Sequence, residues 1–131
     1  MTETPQLEVP LDGLFLSPEP PWGASVLVLK ERSQLLLLRR RGEWGPPGLT
    51  RLPDEPIASC AARALDELAG LTLPMWPILD VDPAWTVFVA AAKGEPIVRT
   101  DRLCDAFEWV DIEEARDRCT ALVSASLDLV A

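Results

Sequence analysis

A chain of 131 residues, 48% apolar and 25% charged, is long enough to bury the core of one domain and has the balance of a globular rather than a disordered protein. The net charge of −9 argues against bulk binding to DNA or RNA backbones. The complete lack of histidine removes catalytic triads, histidine-zinc sites and imidazole bases together. Apolar runs such as residues 35–38 and 87–92 are far too short to cross a bilayer, so no membrane contact is expected. The first residues lack a basic stretch followed by an apolar one, so export is not expected. Three cysteines, Cys60, Cys104 and Cys119, make neither a zinc pattern nor a disulfide framework, which points to buried thiols in a reducing cytoplasm.

Residues 1–22 are rich in proline and acidic side chains and read as an extended lead-in, with one short strand near residues 14–16. GASVLVLKE, residues 23–31, has the aliphatic content of a buried strand; Arg32-Ser33 turns the chain, and QLLLLRRR, residues 34–41, returns as a second strand of a hairpin. Residues 42–56 are crowded with glycine and proline, which excludes any long regular element and predicts a structured loop. Pro56 suits the first turn of a helix, with Asp54 and Glu55 as acidic neighbours. Ile57, Ala61, Leu65 and Leu68 recur at helical spacing, and Gly70 supplies the stop. Residues 71–81 and 85–92 read as strands separated by Asp82-Pro83, and residues 106–110 as another. A helix follows with Asp111 as its N-cap, and a last helix over residues 120–130 buries Leu122, Val123, Leu127 and Val130. The expected architecture is one α/β (α+β) domain over residues 1–131, an α/β/α sandwich with a mixed sheet, in which residues 119–131 form a C-terminal helical extension.

A strand ending in arginines, then Trp44 and Pro47-Gly48, then a helix bearing Arg and Glu, resembles the Nudix hydrolase superfamily. The family motif lies on residues 49–71 without a gap. Glu55, Arg63, Leu65, Glu67, Gly70 and Leu71 match it, and AFEWVDIEEA, residues 106–115, resembles the usual strand-then-helix ending. Three positions depart: Leu49 stands for a glycine, and Ala64 and Leu68 stand for two helix glutamates. Leu52 also occupies a loop position that is acidic in many members.

The resemblance implies a divalent-metal pyrophosphohydrolase of nucleoside diphosphates linked to another group, with Mg2+ or Mn2+ held by glutamates on one helix face. Positions 64, 67 and 68 share that face, and here only Glu67 keeps a carboxylate. Magnesium needs several oxygen ligands and dehydrates reluctantly, so metal affinity is expected to fall sharply. The domain is expected to be a nucleotide-binding one with weak or lost hydrolysis and no obligatory cofactor. If the chain is active, Glu67 is the catalytic residue, Glu67 and Glu55 are the metal ligands, and Asp80, Asp82, Glu95 or Asp101 are the loop carboxylates available to help. Asp66 is about 100° round the helix from Glu67 and points elsewhere. Glu55 with Arg63, and Gly48 with Gly70, are expected to brace loop against helix whether or not the protein catalyses.

For a nucleotide-like phosphate ligand, Arg39, Arg41 and Arg51 are the candidate phosphate contacts, although at most two of the consecutive Arg39, Arg40 and Arg41 can face one side of a strand. Trp44 is the candidate stacking side chain, ahead of Trp22, Trp76 and Trp85, and Trp109 is expected in the core. Two further readings stay open: an active hydrolase relying on Glu67 and loop carboxylates, and a protein-interaction module whose contact surface includes Ala64 and Leu68. A homodimer is compatible with the resemblance, since many relatives pair.

Overall fold

The computed structural model describes residues 20–31, 33–78, 82–100 and 104–130. The short strand expected near residues 14–16 therefore lies outside the described residues, as do Asp80 and Asp101. The elements run β1 (Gly23–Lys30), β2 (Gln34–Arg40), β3 (Glu43–Gly45), β4 (Gly48–Thr50), α1 (Ile57–Ala69), β5 (Met75–Ile78), β6 (Trp85–Ala92), β7 (Ala106–Asp111), α2 (Ile112–Arg118) and α3 (Ala121–Val130). One mixed seven-stranded sheet has the order β3-β2-β1-β6-β5, with β4 added to β1 and β7 to β2. The β1–β6 pair is parallel and the other pairs are antiparallel.

Period-two alternation divides the aliphatic strands between two cores. Ala24, Val26 and Val28 of β1, Leu36 and Leu38 of β2, and Phe88 and Ala90 of β6 face α1, where they meet Cys60, Ala61, Leu65 and Leu68. Leu27, Leu35, Leu37, Val87 and Val89 face the other way, against Ile112 and Ala115 of α2 and Val123 and Leu127 of α3. Helices on both faces explain why β2 reads LLLL rather than alternating with polar residues. The last helix thus contributes directly to the second core, and Trp109 packs, half-buried, against the first.

The expected hairpin is short. The pairs Leu29↔Leu35 and Lys30↔Gln34 join β1 to β2 beside the turn. Beyond them β1 takes β4 as its partner, at Gly23↔Thr50 and Ser25↔Gly48, while β2 takes β3, at Leu38↔Gly45 and Arg40↔Glu43. Residues 42–56, expected without long regular structure, thus carry two three-residue strands that wedge β1 and β2 apart. Elsewhere, the strand expected over residues 71–81 is confined to Met75–Ile78 among the described residues. Asp111 does precede α2, but its side chain makes no capping hydrogen bond.

Candidate functional site

The wedge positions the start of α1. Gly48 can sit against β1 because it has no side chain: a Cβ there would lie 2.5 Å from Ser25 Oγ. Pro47 accepts a hydrogen bond from Val26 N–H at 2.8 Å, and Leu49, at the glycine position of the motif, packs against the α1 core. At the far end of α1, Gly70 adopts φ 68°, a left-handed C-cap, and its N–H bonds Asp66 O at 2.9 Å.

Glu55 and Arg63 close the loop onto the helix. Arg63 Nε donates to Glu55 Oε2 at 2.9 Å and Nη2 donates to Oε1 at 3.0 Å, a two-point pair. Arg63 Nη2 also reaches Thr50 O, and Leu52 N–H donates to Glu55 Oε1. The two side chains are only 24% and 13% exposed, so this is not a solvated surface pair. The hydrogen bonds from Arg63 hold the Glu55 carboxyl below its usual range, against the opposing effect of burial, with help from the Leu52 amide. Both Glu55 oxygens thus accept hydrogen bonds from Arg63, and Oε1 also from the Leu52 amide.

The helix face expected to hold metal is mostly apolar and closed. Ala64 and Leu68 are 0% and 2% exposed, and Leu68 belongs to the core cluster. Glu67 lies at the edge, its side chain 48% exposed and its Oε1 4.0 Å from Arg63 Nη1. Asp66 is exposed, as is Leu52. Among the described residues no three Asp, Glu, His or Cys side chains come together in a way that could hold a metal ion. Asp82 accepts from Ala84 N–H, and Glu95 pairs with Lys30 at 3.4 Å, so neither is directed to Glu67. Among the described residues, which leave out Asp80 and Asp101, the side chains therefore do not fit the divalent cation that the motif implies.

A cleft of about 210 Å³ opens beside α1 between the wedge strands. Leu38, Leu68 and Cys104 line it together with Arg40, Glu43, Trp44 and Gly48. Arg40 lines this cleft, whereas the arginines singled out from sequence lie differently. Arg39 donates to Asp105 at 2.8 Å, Arg51 donates to the carbonyls of Pro21 and Glu55, and Arg41 sits exposed in the β2–β3 turn at φ 55°. The guanidinium groups of Arg39 and Arg118 lie over the Trp44 ring, at 5.8 and 4.9 Å from its centroid. Sequence reasoning grouped Arg40 with its neighbours but did not choose it or Arg118 as a ligand contact. The first was passed over in favour of its neighbours on β2, and the second is 74 positions from Trp44 in the chain (118 − 44), with no local pattern linking them.

A loop–helix motif on an α/β/α sandwich is the architecture of Nudix domains, and solved structures bear this out at the level of fold. The chain is similar to an Ap4A hydrolase binary complex from C. elegans, with a TM-score of 0.67 and 19% identity over 80% of this chain and 91% of that one. It is similar to the E. coli dihydroneopterin triphosphate pyrophosphohydrolase, at 0.66 and 15%, over 87% and 97%, and to RenU, a Nudix hydrolase from M. smegmatis, at 0.63 and 21%, over 82% and 81%. The NUDIX domain family model matches residues 19–128, and the chain belongs to that family. No curated protein matches the sequence.

Proposed function

We propose that this Nudix protein binds a ligand of the nucleoside-diphosphate type and hydrolyses it weakly or not at all. The observation that carries the reading is the burial of Ala64 and Leu68 on the α1 face where the family places two metal-binding glutamates. A single half-exposed carboxylate, Glu67, already within 4.0 Å of Arg63, offers one oxygen donor group where a hard dication needs several. Without the cation, screening of the pyrophosphate, activation of water and stabilisation of developing charge are all missing from the helix.

Support for binding comes from what is retained. The Glu55–Arg63 brace, Gly48 and Gly70 keep the loop in place, and the cleft beside α1 carries Arg40 and Trp44 at its wall. Two of the three similar proteins named above are an Ap4A hydrolase and a dihydroneopterin triphosphate pyrophosphohydrolase, and both compounds carry a heterocyclic group joined to a phosphate chain.

The test is paired. Binding of nucleoside diphosphates and their sugar or dinucleotide derivatives is measured by calorimetry, and release of nucleoside monophosphate is followed with 5 mM-scale Mg2+ or Mn2+, about the range that saturates weak oxygen sites. Binding without turnover is expected. Metal-dependent turnover that Glu67→Gln abolishes would replace this reading with that of an active hydrolase, and no binding to any such compound would sink it.

A further inference from the structure

A second cavity, of about 250 Å³, lies on the opposite side of the wedge from the α1 cleft. Its walls include Trp44 and Trp85 with Val87, Leu122 and Val123, and among the described residues no charged side chain lines it. Its polar groups are few. Ser25 Oγ accepts from Trp85 Nε1 at 2.8 Å, which leaves the serine hydroxyl hydrogen available to a ligand, and Cys119 and Thr120 stand at the rim. The volume is below the ~300–1,000 Å³ of a pocket that takes a whole drug-sized ligand. It suits one ring system, with the remainder of the ligand outside. Apolar walls with a few orienting hydroxyls match a ring that has apolar faces and polar edges.

A neighbouring mouth of about 450 Å³ shares Trp44, Cys119 and Thr120 with the cavity and is lined also by Glu43 and Arg118. Its cation is already compensated: Arg118 Nη1 pairs with Glu114 at 2.9 Å and with Glu108 at 3.3 Å. The other guanidinium over Trp44, that of Arg39, pairs with Asp105. A phosphate arriving at this mouth meets Glu43 and must compete with carboxylates for both arginines, so it gains little Coulomb energy.

Resting on the binding function proposed above, we infer that the Trp44–Trp85 cavity takes an uncharged planar ring, and that the ring rather than the phosphate chain supplies most of the affinity. Binding is then independent of divalent metal and only weakly dependent on salt, the reverse of recognition built on phosphate contacts.

The experiment is calorimetric titration of the full chain in EDTA with adenosine, guanosine, cytidine and uridine and with the four matching diphosphates, at low and high salt. At least one nucleoside is expected to bind within tenfold of its diphosphate, with less than a threefold change in Kd between the two salt concentrations. Leu122→Trp, which fills the cavity, is expected to weaken that binding at least tenfold. Leu122 is half-buried, so Thr120→Trp at the exposed rim is the second variant, with the same expected loss. Diphosphates that bind while every nucleoside is more than tenfold weaker would overturn the inference and leave the proposed function standing, as would unchanged affinity in the folded variants. Failure of nucleosides and diphosphates alike would overturn both.

Discussion

At the residue scale, the Glu55–Arg63 pair ties the loop to α1. Its two parallel hydrogen bonds join the end of the loop to the second turn of α1, and Arg63 also satisfies the Thr50 carbonyl. Glu55→Ala leaves the guanidinium without its carboxylate, and the expected cost is about 2 kcal/mol, read as a lowered midpoint in urea unfolding. The pH dependence follows from the depressed carboxyl of Glu55. Above the ordinary carboxylate range the pair contributes fully. Its contribution declines as pH falls through the ordinary range and is gone below the depressed folded value. Wild-type stability should therefore drop more on acidification than that of Glu55→Ala; parallel pH profiles would remove the pair from the account. This pair was legible in the sequence because the motif fixes its spacing. The pairings of Arg39 with Asp105, Arg51 with Pro21 and Arg118 with Glu108 were not, because each is set by which strand or loop folds beside it.

At the element scale, α1 turns one apolar face into the core. Cys60, Ala61, Ala64, Leu65, Leu68 and Ala69 are all buried. Burial raises the Cys60 thiol above its ordinary value. Leu68→Ala should cost about 3 kcal/mol through lost transfer energy and a residual cavity, measured by thermal or denaturant unfolding; a cost below 1 kcal/mol would show that Leu68 is not packed as described. Gly70→Ala should cost about 1–2 kcal/mol, because an L-residue is strained at φ 68° and the new Cβ would lie 3.2 Å from Arg99. The limits of α1 were readable from Pro56 and Gly70, and the strands β1, β2, β6 and β7 from their aliphatic runs. The two strands inside the loop were not. Three-residue strands dominated by glycine, tryptophan and threonine carry no period-two signal, and they exist because β1 and β2 diverge and leave ladder groups to be paired.

At the scale of the whole molecule, two apolar cores on either side of one sheet hold the fold together through residues far from the motif. Both cores are built without the side chains of Glu55 and Glu67, so the architecture does not depend on those carboxylates for its packing. None of the described helices is long and apolar enough to cross a membrane. The acidic composition, at −9 overall, leaves the guanidinium groups around Trp44 largely neutralised by neighbours. Affinity for phosphate alone should be poor as a result: inorganic pyrophosphate is expected to leave the melting temperature within about 1 °C of the free protein, since a ligand stabilises only in proportion to its binding. A larger shift would mean that the arginines release their carboxylates readily.

The most direct test of the central claim is calorimetric titration of Mg2+ and Mn2+ into the full chain, alone and with a non-hydrolysable diphosphate analogue, repeated on Glu67→Gln. The account predicts no saturable metal binding in either protein at millimolar metal, with or without the analogue. Saturable binding that disappears in Glu67→Gln would contradict it and show a rebuilt metal centre around the one glutamate that remains.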